Sequence, residues 1–264
     1  MTAIAIPYTS FGFAIAADGR QRWADQFTRD NLVRAAESDS VQKIFEIKRK
    51  DAAFAYTLSG DVASRDRSFD LAIELQNQLA QIQRHRFFTA RRFIETLSGR
   101  LESAVHLAMR QGRAEEYPAC EITLAGYFRG QPRLVNIQFQ RHGGGLRCWN
   151  VIRKPPPGLC FYTGSHLIAN LVSQGDERFA QFCPPLDEKA SLQAAVEHAT
   201  GYIQASSSAL ARQLDPECDS IGGRIHVATV TPPIRSLKAR IWRWITRRPA
   251  PQTGFQWIRP PLLS

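Results

Sequence analysis

A hydroxyl, a carboxylate and an amine stand early in this chain, in an order that can do acyl chemistry. Thr2 follows the initiator Met1, Asp18 and Arg20 flank Gly19, and Lys43 sits between Gln42 and Ile44. A Thr hydroxyl is a weak nucleophile until a base takes its proton. An N-terminal Thr carries its own base, the α-amine. In unstructured peptides that amine titrates at about 7.7–8.0, which leaves a neutral fraction near physiological pH. It is free only after Met1 is removed, and a small penultimate residue such as Thr permits the trimming. The plainer alternative is an ordinary Met-Thr start followed by an opening strand pair.

Met1 to Arg20 has the pattern of a β-hairpin. Ala3 to Tyr8 runs out, Thr9-Ser10 turns, and Phe11 to Ala17 runs back. A two-residue turn there pairs Tyr8 with Phe11, Ile6 with Phe13, Ile4 with Ile15 and Thr2 with Ala17, and such apolar cross-strand partners stabilise hairpins. The pairing returns Asp18 to the neighbourhood of Thr2. Gln21 to Ser40 is polar and without period, an excursion over the surface. Val41 to Ile47 reads as a strand carrying Val41, Lys43, Phe45 and Ile47 on one face. A Lys within an apolar face is costly unless paired, the alternative being an edge strand whose Lys snorkels to water. Ala52 to Leu58 is the next strand and ends in Ser59-Gly60-Asp61, where Gly60 either turns a backbone N–H toward a ligand or merely turns the chain.

Two helices follow. Leu71, Leu75, Leu79 and Ile82 form one stripe; Thr89 caps a second helix with Phe93, Leu97, Leu101, Val105 and Ala108 on its stripe. Strands are expected at Glu121–Phe128, Arg133–Gln140, Leu146–Ile152 and Leu159–Tyr162, with Gly143-Gly144-Gly145 turning between the second and third. Thr163-Gly164-Ser165 opens a helix reaching Val172. A long helix after Pro184-Pro185 places Leu192, Val196, Ala199, Ile203 and Leu210 on one stripe. Arg224 to Thr231 is the last strand, entered through Asp219-Ser220-Ile221-Gly222-Gly223. Separate blocks of strands and helices imply an α+β fold of stacked layers, two antiparallel sheets with helices outside.

The 264 residues are 44% hydrophobic and 10% aromatic, ordinary for a globular chain, and no apolar run approaches bilayer length. No charged and apolar leader opens the sequence. The five Cys show no metal-like spacing and read as reduced thiols of a cytoplasmic protein. The net charge of +10 has a local source. Residues 231–264 contain seven cations and no acid, which leaves +3 for residues 1–230. The chain therefore divides into a domain over 1–231 and a basic, Pro- and Trp-containing tail over 232–264. Within the tail, Leu237, Ile241, Trp244 and Ile245 lie at helical spacing among Lys238, Arg240, Arg243 and Arg247. This amphipathic pattern suits an acidic partner, a membrane surface, or packing back on the domain. No nucleic-acid reader motif, Walker loop, zinc motif or dinucleotide fingerprint is present, so no nucleic acid, metal or cofactor is expected.

The motifs together resemble the proteasome β-type subunits, including the bacterial two-ring protease of that family, within the N-terminal-nucleophile hydrolases. Thr2-Ala3-Ile4-Ala5-Ile6 is similar to the mature N-terminus of those subunits, and Ala16-Ala17-Asp18-Gly19-Arg20 to their Ala-Ala-Asp-x-Arg step. Gln42-Lys43-Ile44-Phe45 resembles the strand with the catalytic Lys, Leu58-Ser59-Gly60-Asp61 the oxyanion turn, and Tyr162-Thr163-Gly164-Ser165 the Gly-Ser turn at a helix start. The resemblance spans residues 2–231 and implies a four-layer αββα sandwich. It implies Thr2 as nucleophile with its α-amine moving the proton, and Lys43 lowering the pKa of both. Asp18 would hold Lys43, Arg20 would support Asp18, and the Gly60 N–H would stabilise the oxyanion. Ser165 with the Asp219-Ser220 corner would orient the amine. Here Asp219 and Ser220 are adjacent, whereas the family separates its Asp and Ser by three positions.

The activity so implied is a threonine-type peptidase, working on peptides or unfolded protein inside a homo-oligomeric ring. Two alternatives share the fold: a non-catalytic subunit serving assembly or binding, and a non-peptidase amidohydrolase whose pocket loops select another amide.

Overall fold

The computed structural model describes residues 2–22, 26–28, 31–33, 37–60, 63, 68–112, 119–142, 145–232 and 254–258. The amphipathic pattern of Ile234 to Thr246, Asp61 and the Gly143-Gly144 pair lie outside them.

Strands β1 (Ile4–Thr9) and β2 (Gly12–Ala17) form the hairpin, and every residue of both is buried. The register pairs Ile4 with Ala17, Tyr8 with Phe13 and Thr9 with Gly12, two residues away from the expected one. The turn is therefore Ser10-Phe11 and not Thr9-Ser10. One local contact and one long-range contact favour it. Thr9 Oγ1 accepts from the Phe11 N–H at 3.2 Å, closing the turn. Gly12 then lies inside the sheet at a φ of 151°, where a Cβ would sit 2.7 Å from the Val230 carbonyl oxygen. A two-residue shift keeps the parity of the pleat, so the same side chains share a face. Ile4, Ile6, Phe13 and Ile15 lie in one apolar cluster, and Ala3, Ala5, Ala14 and Ala16 in another.

The excursion after Arg20 is not structureless. It holds β3 (Gln21–Arg22), β4 (Gln26–Thr28), β5 (Asn31–Val33) and β6 (Glu37–Ser38), with β3 paired to β6 and β4 to β5. β7 (Ile44–Lys48) starts three residues later than the expected strand. The Val41 N–H bonds to the Gly19 carbonyl, and the Asp39 carbonyl accepts from Arg224 N. That segment is tied to the corner after β2 and does not join the ladder. Then follow β8 (Ala52–Gly60), α1 (Leu71–Ile82), α2 (Ala90–Arg110), β9 (Ala119–Phe128), β10 (Gln131–His142), β11 (Gly145–Arg153) and β12 (Cys160–Thr163). The chain continues through α3 (His166–Ser173), α4 (Leu192–Ser206), α5 (Ala209–Leu214), β13 (His226–Thr231) and β14 (Gly254–Ile258).

Side chains punctuate the helices. Asp70 caps α1, Thr89 α2, Ser165 α3 and Ser191 α4, each oxygen accepting from free N–H groups of the first turn. The expected single helix through Leu210 is broken after Ser206. Ser208 leaves the helical region and caps α5 through the Ala211 N–H. A Ser side chain that can satisfy a backbone N–H competes with helix continuation.

The strands make two five-stranded antiparallel sheets, an α+β fold. Sheet I runs β12-β1-β2-β13-β14 and sheet II runs β11-β10-β9-β8-β7. β14 comes from the C-terminal segment, where no strand is expected from sequence; it pairs Val230 with Phe255 and extends sheet I. Apolar side chains gather in three clusters. One joins α1 and α2 to β8, β9 and β10; one joins α3 and α4 to the Ala face of β1 and β2; the third holds residues of both sheets. Small Ala side chains on the helix-facing side of β1 and β2 let α4 approach closely, while the larger Ile and Phe fill the space on the other side.

Candidate active site

The hairpin delivers Asp18 to the start of β1. Asp18 N donates to the Ala3 carbonyl at 3.1 Å, and the Ala3 N–H returns a bond to Asp18 Oδ1 at 2.9 Å. Asp18 is fully buried. Its second oxygen accepts from the N–H groups of Arg20 at 3.3 Å and Gly222 at 3.4 Å. Lys43, held one residue ahead of β7, reaches the same point. Its ammonium donates to Thr2 Oγ1 at 3.1 Å, Asp18 Oδ1 at 3.1 Å and the Arg20 carbonyl at 2.6 Å. An ammonium has three protons, and three acceptors surround this one. The Lys–Asp pair has side-chain exposures of only 9% and 0%, so it is a buried ion pair with nearly every polar site occupied.

Burial sets the titration of both partners. It pushes the Lys43 ammonium below the usual lysine range, with the Asp18 charge opposing the shift. Burial likewise raises the Asp18 carboxyl, against the pull of Lys43 and of the Ala3 and Gly222 N–H groups. Wherever the pair carries its two charges, the Thr2 hydroxyl oxygen faces a cation at hydrogen-bond distance, which favours its alkoxide.

Arg20 encloses the corner. Its guanidinium donates to both Asp39 oxygens at 2.8 and 3.4 Å and to the Asp219 carbonyl at 3.3 Å. Its N–H donates to the Gly222 carbonyl at 2.9 Å. Gly222, with a φ of 153°, makes the room: a Cβ there would lie 3.0 Å from the Arg20 guanidinium carbon. From the other side of β1, Thr163 Oγ1 on β12 donates to the Thr2 carbonyl at 3.3 Å. Thr2 is thus held through its carbonyl and its hydroxyl.

A cavity of about 950 Å³ opens at Thr2. Gly60, at the end of β8 with a φ of 84°, lines it together with Asp219 and Ser220. The side chains of the last two are engaged elsewhere. The Asp219 carboxylate lies 3.6 Å from Arg212, and the Ser220 hydroxyl donates to the Glu217 carbonyl at 2.7 Å. Ser165 is fully buried, accepts from Ile168 N at 3.1 Å and donates to Asp215 Oδ2 at 2.5 Å. Among the described residues no hydrogen bond links Ser165 to Thr2. Asp215, Thr163 and Asp39 are among the site neighbours that sequence reasoning missed. The only local signal for Asp215 is its place before Pro216, where it caps a 3-10 turn over Pro216–Ser220. Thr163 is visible in the sequence only as part of the turn before Ser165.

No family model matches this chain, and no curated protein does. Among solved structures it is similar to Anbu (ancestral beta-subunit) from Yersinia bercovieri at 13% identity, covering 96% of this chain and 100% of that one, with a TM-score of 0.50. A Gly-1 mutant of Anbu from Hyphomicrobium sp. strain MC1 aligns at 14% identity over 94% of this chain and 95% of that one, with a TM-score of 0.49. The likeness to the Yersinia protein is one of fold. It corrects the sequence resemblance to the conventional proteasome β-type subunits and the bacterial two-ring protease: the two structures just named are both Anbu, a distinct family of proteasome-like relatives. Motifs of five or fewer residues around a hairpin and a Lys are too short to fix a family, and a shared fold does not carry a shared function.

Proposed function

We propose that this chain is an N-terminal-nucleophile amide hydrolase, a threonine-type peptidase whose nucleophile is Thr2 after removal of Met1. The observation that supports it is the Lys43 ammonium, shared between Thr2 Oγ1 and the buried Asp18 at the mouth of a large cavity. The reading includes a four-layer αββα order, which the three apolar clusters support.

In the proposed reaction Thr2 Oγ forms a bond to the substrate carbonyl carbon while its proton passes to the α-amine, directly or through water. The carbonyl oxygen becomes an oxyanion, and the Gly60 N–H is the donor assigned to it. Collapse of that intermediate breaks the C–N bond, and the ammonium returns the proton to the leaving amine. Water then attacks the Thr2 ester with the amine again as base, releasing the acid and restoring Thr2. Lys43 stays charged throughout and favours the alkoxide. Asp18 fixes Lys43, and Arg20 braces the Asp18 corner. Ser165 acts on the amine only through its neighbours, since Asp215 and α3 occupy its hydroxyl.

A homo-oligomer in a reducing cytoplasm belongs to the same reading. Among the described residues β11 ends its sheet and exposes Trp149 and Val151, which suits pairing with a second copy.

The test compares native protein with a form carrying one uncleavable residue before Thr2, after intact mass has established removal of Met1. Native protein should hydrolyse peptide amides, and the extended form and Thr2→Ala should not. Equal hydrolysis by the extended form would remove the α-amine as base and sink the proposal. Hydrolysis of small non-peptide amides alone would leave an amidohydrolase and exclude the peptidase.

A further inference from the structure

The cavity at Thr2 has a polar end that the hydrolysis does not use. Glu121 lies on β9, and Asn136 and Gln138 lie beside it on β10. Along β9 alternate residues share a face, so Glu121 and Thr123 lie on the side of Ala125 and Tyr127, which belong to the cluster holding both sheets. An apolar layer thus gives way at Glu121 to polar side chains just where the cavity begins.

The carboxylate is held firmly. Oε1 accepts from Thr123 Oγ1 at 3.0 Å and from Asn136 Nδ2, and Oε2 accepts from Gln138 Nε2 at 3.4 Å. All three donors are neutral. Among the described residues no cation pairs with Glu121, and it is half-buried. A carboxylate has about four lone-pair sites, so one side remains for a ligand. Such a group has its rotamer already fixed, which is the preorganised state that a bound cation exploits. Leu134, Val151 and Phe161 line the same cavity and offer an apolar wall. An apolar wall ending in a carboxylate matches a long aliphatic stem with a cationic tip.

We infer that Glu121 is a specificity-determining residue, and that the cavity takes an arginine or lysine side chain of the substrate on the acyl side of the bond attacked by Thr2. This rests on the hydrolase reading for the bond cleaved, but the recognition of a cationic side chain stands on the cavity itself. The exposed Glu217 at the cavity rim has the same sign, while Arg153, a cation on the same lining, is exposed on the edge strand β11.

The experiment uses two acetylated fluorogenic peptide amides that differ only in arginine or norleucine before the scissile bond. It measures kcat/KM for the native full chain, Glu121→Gln and Glu121→Ala, with melting curves for each. It also measures binding of both peptides to Thr2→Ala, alone and combined with Glu121→Gln. Native protein should favour the arginine peptide by roughly 10- to 100-fold, the range of one charge-assisted contact, and each Glu121 variant should lower that ratio by about 10-fold or more. Thr2-dependent hydrolysis with no preference, or a preference that both folded variants retain, overturns the inference and leaves the hydrolase reading standing. No hydrolysis, with Glu121-dependent tighter binding of the arginine peptide, supports the cationic site and removes the hydrolase. Absence of both hydrolysis and selective binding removes both.

Discussion

At the scale of residues, the buried pair of Lys43 and Asp18 ties folding to chemistry. Asp18 balances a buried ammonium and also bonds to three backbone N–H groups, so its loss leaves several groups unsatisfied. Asp18→Asn should therefore cost about 3–5 kcal/mol, read by chemical denaturation, as breaking buried pairs from one side does. Lys43→Ala should remove hydrolysis nearly as fully as Thr2→Ala. If Lys43→Ala folds and keeps native kcat, the cation beside Thr2 Oγ has no catalytic role. Ser165 separates two functions in another way. Ser165→Ala removes the cap of α3 and the partner of Asp215, for a stability loss of about 0.5–2 kcal/mol. A fall in kcat beyond what restored folding conditions recover would show that Ser165 also positions the amine of Thr2.

At the scale of elements, local signals and long-range ones separate cleanly. The apolar stripe and Thr89 cap of α2 lie within one stretch of chain, and the helix forms over Ala90–Arg110 as its pattern implies. β14 has no comparable pattern. Its Phe255 pairs opposite Val230 and packs against the cluster that holds both sheets. Phe255→Ala should thus cost about 1–2 kcal/mol, a part of the value for a fully buried aromatic side chain. A Phe255→Ala melt that superimposes on the native one would show that β14 adds nothing to the domain. Ending the chain after Pro232 should lower the melting temperature at least as much, since β13 then becomes an edge.

At the scale of the whole molecule, a buried and a half-buried histidine set the response to acid. His198 is buried, its Nδ1 near the Pro184 carbonyl at 2.8 Å and its Nε2 near the Tyr162 hydroxyl at 2.6 Å, so those partners assign the Nδ1–H tautomer. Burial holds the His198 imidazole below the ordinary histidine value of 6.5. Burial also lowers that of His226, aided by the charges of Arg224 and Lys43. A depressed histidine contributes stability that is present above the unfolded value of 6.5 and is lost as pH falls through the folded one. The melting temperature should accordingly drop between about pH 7.5 and about pH 5.5, and His198→Gln should flatten the slope. A native protein whose stability is level across that window contradicts the assignment. Light scattering addresses the assembly: a homo-oligomer has a mass well above 29.7 kDa, and a clean monomer at micromolar concentration would exclude it.

Much of this molecule is legible without its structure. Apolar residues around a turn imply a hairpin, and the hairpin alone returns Asp18 to the start of β1, because strand pairing is a short-range consequence of pattern and turn. Helix stripes and caps are local in the same sense. The turn itself is misplaced by sequence reasoning, since the position of Gly12 depends on Val230, more than two hundred residues away. The same holds for the bond from Gly222 N to Asp18, the bond between Ser165 and Asp215, and the placing of Glu121 at a cavity that opens on Thr2. Each joins segments whose own periodicity says nothing of the other, because side-chain period specifies a face and not the partner that will cover it. Sequence by itself determined the first hairpin, the apolar stripes and caps of the first two helices, and the charge of the chain. Only the packing of the two sheets decided which polar groups would meet, since a buried carboxylate or hydroxyl takes its partner from whatever donor the tertiary fold brings within about 3 Å.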